Sequence, residues 1–383
     1  MKIAYFTDTF YPEINGVTNT LNNLTAYLKK TGIEYLVFAP DYDNRRSQHE
    51  ESVMRFKGLP PFVNPNSRLA LPNYRTVRGA ILDFAPDIIH ITIELGIGLV
   101  GLRVARELNI PIVMSYHTNF DSYLNLYEFG HLKKGYWGYI KWFHSFAKAN
   151  LCPSYDTLRT VEKRGFQNLG IWSRGIDTST FSPLYRSEEL RKRLGLQGKT
   201  TFLYVGRIAR EKGLDTLAQS IRRINIEYRD EAVFVFTGDG PYMKELKEMK
   251  LPNAVFTGFL HKKELSEMYA SSDVFVFPSG TETFGNVVLE AMSSGLAVVC
   301  TDLGGITDFT EHLENAYVCK YGDAESLAVG ISEMLSNAEL RHKLSEGGLE
   351  TAASRSWDYI NGELIAQYEM VIEKTVGMKT LAG

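Results

Sequence analysis

The hydrophobic positions of the chain follow two alternating rhythms. Short runs rich in Val, Ile and Phe, such as "KIAYFTD", "EYLVFAP", "DIIHITIE" and "PIVMSYH", are continuous rather than alternating. Such runs mark strands buried on both faces of a parallel sheet. Between them stand stretches with helical spacing, including "VTNTLNNLTAYLKK" and "LVGLRVARELN". The later half repeats the rhythm with "TFLYVGR", "LDTLAQSIRRI", "AVFVFTG", "YMKELKEM", "VFVFPSG" and "LAVVCTD". This alternation predicts an α/β fold of doubly wound parallel sheets.

At 383 residues the chain exceeds one ordinary core and predicts two domains. The seam falls in "IWSRGIDTSTFSPLYRS", residues 171–187, where Gly, Ser and Pro interrupt the periodicity. We expect a first domain over 1–180 and a second over 181–355. A terminal helix, about 356–383, returns to the first. Two such domains facing each other leave a cleft lined by the carboxyl ends of both sheets, the usual place for a ligand. The Pro-rich stretch 57–75 is long enough to be a functional loop rather than a connector.

Composition narrows the class. With 44% hydrophobic and 23% charged residues, and no apolar run of the roughly 20 residues that span a bilayer, the chain reads as a soluble protein. "MKIAYFTDTF" is too soon interrupted for a signal peptide. Cys152, Cys300 and Cys319 are odd in number and lack metal-site spacing, which points to a reduced, cytoplasmic setting. The net charge of −3 is uneven: residues 1–180 hold 20 basic against 16 acidic side chains, and the rest 22 against 29. The first half is therefore the better match for an anionic partner.

The stretch "SGTETFGNVVLEAMSSGLAVV", residues 279–299, carries the chemistry. Glu282 follows a strand and lies in a loop at a sheet's carboxyl end. Thr283 is an N-cap candidate, 284–293 a helix, and Gly295 its stop. The helix start presents backbone N–H groups, about Phe284, Gly285, Asn286 and Val287, to an anion; the dipole adds about 0.3–1 kcal/mol. Gly285 lets a ligand approach the backbone. Glu290 stands deeper among Val, Leu, Ala and Met, where a carboxylate needs hydrogen-bond donors. The vicinal hydroxyls of a ribose supply such donors, and Glu282 can serve a hexose in the same way. Either acid taken alone is equally a solvent-facing residue. With phosphate-binding backbone between them, the pair points to a nucleoside-diphosphate sugar.

Two cations five residues apart in "YVGRIAREKG", Arg207 and Lys212, can clamp a pyrophosphate and stabilise charge on a departing nucleotide, or be plain surface charges. "NGV" at 15–17 places Gly16 at a strand-to-helix turn that suits a phosphate, or merely turns. His117 ends the strand "PIVMSYH" at a carboxyl edge. "ETFGNVVLEAMSSGLAVV" resembles the E-x7-E signature of family 4 glycosyltransferases, which have the two-domain GT-B fold. The likeness extends over nearly the whole chain through "FYPEINGV", "SYHTNF", "WSRGIDTSTFSP", "YVGRIAREKG", "TGDGPY" and "FTGFLHKKELSEMYASSDVFVFPS".

The resemblance implies that Glu282 contacts donor-sugar hydroxyls, that Glu290 contacts the ribose, and that His117 lies near the reacting sugar. "TGDGPY" and "TGFLHKK" resemble the segments shaping the nucleobase pocket, which makes Gly238 and Leu260 donor-site candidates. Asp308 stands where many relatives have Glu. The implied activity is retaining, metal-independent transfer of a hexosyl group from a UDP- or GDP-linked sugar, with no further cofactor and no nucleic acid. The branch with sulfoquinovosyl- and mannosyl-glycolipid synthases is most similar, so the acceptor is a lipid or glycan. A nucleotide-sugar epimerase of the same fold, or a silent partner subunit or sugar-nucleotide sensor, is the alternative.

Three further patterns allow other readings. "GIGLVG", 96–101, matches G-x-G-x-x-G but starts nearly a hundred residues in, and the next strand ends in His117 rather than an acid, so NAD binding is set aside. Asp121 has the right distance but lies in a loop. "DYD", 41–43, lacks further acids to complete a metal site and reads as a turn. In "KKGYWGYIKWFHSFAKAN", 133–150, a helix puts Tyr136, Tyr139, Ile140, Phe143 and Phe146 on one face and Lys134, Lys141 and Lys148 opposite. That face either packs on the sheet or meets anionic lipid as a peripheral contact at the inner face of the cell membrane.

Overall fold

The structure, a computed structural model, describes residues 1–13, 15–42, 50–60, 68–117, 133–224 and 230–382. It divides into two compact units: Met1–Arg174 with Trp357–Gly383, and Gly175–Ser356. Thr118, Asn119 and Phe120 of "HTNF", together with Asp43 and Asp121, lie outside the described residues.

The described residues of the first unit hold nine strands: β1 (Lys2–Phe6), β2 (Glu34–Pro40), β3 (Val53–Phe56), β4 (Gly58–Leu59), β5 (Leu69–Ala70), β6 (Ile88–Ile91), β7 (Ile112–Ser115), β8 (Ala149–Cys152) and β9 (Leu169–Ile171). Seven form one parallel sheet in the order β3-β2-β1-β6-β7-β8-β9. Strands β4 and β5 pair antiparallel at the two ends of the Pro-rich stretch. In the second unit β10 (Thr200–Val205), β11 (Ala232–Thr237), β12 (Ala254–Gly258), β13 (Val274–Phe277), β14 (Ala297–Thr301) and β15 (Tyr317–Cys319) form a parallel sheet ordered β12-β11-β10-β13-β14-β15. All six residues of β11 are buried, as a continuous apolar run requires of a strand covered on both faces.

Each sheet reverses its winding once, between β1 and β6 in the first and between β10 and β13 in the second. At such a switch point the crossovers leave on opposite faces, and a crevice opens at the carboxyl ends of the two central strands. Residues 175–180 go with the second unit rather than the first. Ile176 bridges to Ser356, and Ile176 and Phe181 are buried in that unit's core.

The helix Trp357–Ala382 belongs to the first unit. Its Ile360, Leu364, Tyr368 and Val371 share a core with Leu21, Leu24 and Leu28 of the helix Gly16–Thr31 and with Tyr5 and Val37 of the sheet. Polar ties reinforce the docking. Lys30 Nζ meets Asp358 at 2.6 Å, Gln367 Nε2 donates to the Ile171 carbonyl at 2.8 Å, and the Tyr368 hydroxyl meets His90 Nδ1 at 2.5 Å.

The aromatic stretch after residue 132 forms the helix Lys133–His144, so Phe146 and Lys148 lie beyond its end. Ile140 and Phe143 are buried and Tyr139 and Phe146 pack against the core, while Lys134, Lys141 and Lys148 are exposed. The apolar face is thus turned into the unit, and Trp142 stays 47% exposed. "GIGLVG" opens the helix Gly96–Glu107, but its N-terminus is already filled. The Asp8 carboxylate accepts from the N–H groups of Ile97 (2.9 Å) and Gly98 (3.3 Å). The glycines are needed for packing: a Cβ at Gly98 would run into the Ile93 carbonyl and one at Gly101 into the Phe6 ring.

Leu364 is fully buried, so Leu364→Ala should destabilise the first unit by about 2–5 kcal/mol, the range for Leu-to-Ala cavities. Hydrogen exchange should then show lost protection in β1, β2 and β6 with little change in β10 to β15. Equal loss in both sheets would contradict this division of the chain.

Candidate functional site

The carboxyl ends of β10, β11, β12 and β13 carry the predicted donor-site residues of the second unit. The loop after β10 runs through Gly206 and Arg207 to a 3-10 turn, Arg210–Lys212. Tyr204, buried at the end of β10, donates its hydroxyl to the Arg207 carbonyl at 3.0 Å and pins the loop. The neighbouring loop after β11 presses against it, because a Cβ at Gly238 would collide with the Gly206 carbonyl. Gly238 therefore earns its place first by letting two loops touch. The Arg207 side chain is exposed and meets no hydrogen-bond partner among the described residues.

Across the switch point, the loop after β13 brings Glu282 to Lys212. Lys212 Nζ donates to Glu282 Oε1 in a half-buried ion pair, 17% and 24% exposed at the side chains. Two residues singled out separately in the sequence, 70 positions apart, are thus in direct contact. Phe284 turns its ring into the core against Phe309, which leaves only its backbone for a ligand.

The helix that follows is shorter than the sequence indicated. It spans Asn286–Ser293, and its N-cap is Gly285, not Thr283. Gly285 has φ 97°, a left-handed conformation that no helical residue adopts, so the helix can begin only after it. Phe284 therefore lies outside the helix. No side chain caps this start, and of its first three N–H groups Val288 bonds back to the Gly285 carbonyl at 3.0 Å. Asn286 Oδ1 is shut off from solvent and lacks a partner among the described residues.

Glu290 sits on this helix with its carboxylate accepting from the Tyr269 hydroxyl at 3.0 Å. Burial pushes its pKa up to about 7, against the opposing pull of Tyr269 and Lys262. Sequence reasoning missed Tyr269, which lies 21 positions upstream on the helix Lys262–Ala270 with no motif of its own. It also missed Gly304 and Gly305. The Gly305 N–H donates to the Glu282 carbonyl at 2.8 Å, and a Cβ there would strike the Thr283 carbonyl. The "GG" doublet was the available signal. Asp308 ends the 3-10 turn Gly305–Asp308 in this supporting loop. Leu260 lies just past β12, half-buried against the core beside the 60%-exposed Phe259.

In the first unit, Gly16 begins the helix Gly16–Thr31, whose N-cap Asn15 accepts from Thr18 N–H at 2.9 Å. His117 lies just past β7, with Arg174 Nη2 at 2.8 Å from its Nδ1. Burial, then the Arg174 charge, hold its imidazole well below the usual range. Among the described residues no group of three acidic, His or Cys side chains is placed to hold a metal ion, and no helix is long and apolar enough to cross a membrane.

Comparison with known proteins supplies the family. A family described as "Glycosyl transferases group 1" matches residues 186–351, and "Glycosyltransferase Family 4" matches 14–180. The chain is 32% identical over 376 residues to a GDP-mannose-dependent alpha-mannosyltransferase of Mycobacterium tuberculosis (strain CDC 1551 / Oshkosh), covering 97% of each. It is 34% identical over 368 residues to the sulfoquinovosyl transferase SQD2 of Arabidopsis thaliana, covering 93% of this chain and 71% of that one. Among solved structures, sucrose-phosphate synthase from Thermosynechococcus elongatus aligns with a TM-score of 0.78 at 18% identity, over 97% of this chain and 99% of that one. Anabaena HepE in complex with UDP-glucose aligns at 0.75 and 18%, over 97% and 100%. With two switch-point sheets and both halves matched, the chain belongs to the group 1, family 4 glycosyltransferases and is an enzyme of the GT-B fold.

Proposed function

We propose that the second unit binds a UDP- or GDP-linked sugar and that the enzyme passes its hexosyl group, with retention, to a lipid or glycan acceptor. One observation carries this reading. The Lys212–Glu282 pair, the unpartnered Arg207 and the Tyr269-held Glu290 all converge on the carboxyl edge of one sheet around its switch point. Arg207 and Lys212 supply positive charge for the pyrophosphate, and the backbone at 283–286 supplies N–H groups. Glu282 takes the sugar hydroxyls and Glu290 the ribose hydroxyls. Gly238 and Leu260 shape the base pocket. In the first unit Gly16 serves the phosphates, and His117 donates to the reacting sugar.

As the glycosidic bond breaks, negative charge grows on the terminal phosphate oxygen. Cations that meet it there replace the Lewis acid that other transferases take from a metal. The name of the GDP-mannose-dependent relative supports a nucleotide-sugar donor, and the sequence resemblance to glycolipid synthases supports a lipid or glycan acceptor. The exposed Trp142, on the same helix as the exposed Lys134 and Lys141, suits peripheral contact with an anionic membrane.

Thermal shift with UDP-, GDP- and ADP-sugars tests the donor reading. A bound donor at 100 times its Kd should add about 2.7 kcal/mol; no shift with any of the three would count against it.

Glu290→Ala should weaken nucleoside diphosphate binding about 10- to 150-fold, the worth of a charged hydrogen bond of about 1.5–3 kcal/mol. The sign of its pH dependence follows from the raised pKa. Below about 7 the carboxyl holds a proton that hydroxyl donors must displace, so affinity should fall as pH drops through that value. Glu290→Gln should lose this part of the pH dependence. Calorimetry across the same range reads both effects, and unchanged affinity in Glu290→Ala would make the residue merely structural.

Lys212 is proposed to act more strongly in the transition state than in the ground state. Lys212→Ala should then lower kcat on the order of 10²-fold and raise the donor KM far less. A change confined to KM would reduce Lys212 to a docking cation.

A further inference from the structure

Arg174 is an unexpected charge in the first unit. It follows Trp172, is 5% exposed, and pairs with no carboxylate among the described residues. Its Nη1 donates to the carbonyls of Trp172 (2.8 Å) and Ser173 (3.0 Å), and its guanidinium lies 5.3 Å from the Trp172 ring centroid. Burial pulls its pKa to about 9, which leaves it charged at neutral pH. Nη2 faces His117 Nδ1 at 2.8 Å.

That contact decides the histidine's protonation. A guanidinium has donors and no acceptor, so Nδ1 must present its lone pair. The neutral ring then carries its proton on Nε2. Protonating Nδ1 would set two N–H groups against each other and put a second positive charge beside the first. Nε2 is itself sealed from solvent, and nothing among the described residues accepts its proton. A buried N–H without an acceptor costs stability unless a ligand completes it. The Trp172 ring stands edge-on to the imidazole, with centroids 5.5 Å apart. Among the described residues, the other titratable groups acting on the ring are His90 and His144, and neither is a carboxylate that would favour a charge on it.

We infer that Arg174 is a positioning residue that fixes His117 as the neutral Nε2–H imidazole, an N–H donor reserved for an oxygen of the bound nucleotide-sugar. The role of His117 in this statement rests on the donor reading above. Held in this form, the imidazole cannot take a proton through Nδ1 and is no general base. It donates one hydrogen bond, of constant strength, across the pH range in which a free imidazole would titrate.

The direct test is nitrogen NMR of histidine-labelled wild-type protein, which needs no variant. His117 should show an unprotonated Nδ1 and a protonated Nε2, with no titration through about pH 6.5, the ordinary imidazole value. A proton on Nδ1, or titration near that pH, overturns the inference. Arg174→Met removes the donor while keeping bulk. His117 should then titrate nearer the ordinary value and populate the Nδ1–H form, and kcat should fall about tenfold, the scale of one misdirected hydrogen bond, with less change in donor KM. Arg174→Lys, which restores a cationic donor, should recover the wild-type spectrum and much of kcat. An Arg174→Met spectrum identical to wild type would overturn the positioning role. If His117→Ala keeps full kcat while the wild-type spectrum is as stated, the donor role of His117 is what fails, and the tautomer assignment stands apart from it.

Discussion

A parallel sheet can be built only by leaving each strand at one end and returning to the other. Every loop at the carboxyl edge therefore opens toward a helix start, and every such start has backbone N–H groups without intrahelical partners. Where the winding reverses, two of these loops diverge and leave room between them. In the second unit that room is flanked by β10 and β13, whose loops deliver Lys212 and Glu282. The glycines at 238, 285 and 305 permit the approach of loop to loop that holds these side chains together. The site is thus a consequence of sheet topology before it is a set of residues.

The first unit has the same topology and uses its own switch point differently. Asp8, past the end of β1, turns its carboxylate onto the helix that starts beyond β6. A carboxyl group supplied by the chain occupies the place where a dinucleotide's pyrophosphate would sit. Burial raises the Asp8 pKa to about 7 despite the two N–H donors, which tend to lower it. A folded pKa above the unfolded value means that this carboxyl favours the fold fully at low pH and loses that contribution as pH rises to about 7. The unit keeps other polar groups inside as well. His90, whose pKa is lowered to about 3 by burial, is held neutral between Tyr368 and Ser115. The C-terminal helix supplies Tyr368, so the last segment of the chain helps satisfy a histidine in the sheet's centre.

Strands and helices were legible because the continuous apolar runs and the helical spacing leave little choice of period. Glu282, Arg207 and Lys212 could be placed in loops at the carboxyl edge because each directly follows a strand run, and Glu290 on a helix because of the apolar spacing around it. What stayed hidden depended on tertiary contact. Nothing near Tyr269 in the sequence announces that its hydroxyl reaches Glu290, and Arg174 lies in a quoted motif without any local sign that it faces His117. The helix start was misplaced by two residues, at Phe284 rather than Asn286. Thr283 has the chemistry of an N-cap, but the backbone of Gly285 overrules it, because a residue at φ 97° cannot lie inside a helix. The aromatic stretch at 133–150 illustrates another limit. Amphipathic spacing shows that a face exists and not what covers it, and here the core covers most of it.

The two units handle charge in opposite ways, and the difference bears on the chemistry proposed for each. In the second, Lys212 and Glu282 neutralise each other, so neither waits as an isolated half-buried ion. A pyrophosphate can take over the lysine while sugar hydroxyls take over the glutamate, and both charges stay solvated by partners throughout the exchange. In the first, Arg174 has no acid partner among the described residues, and its guanidinium is held by two carbonyls and one imidazole nitrogen. No carboxylate among the described residues cancels its field. A buried cation left uncompensated in this way disfavours any further positive charge nearby and favours developing negative charge. The neutral form of His117 inferred above is the effect of that charge on its nearest neighbour.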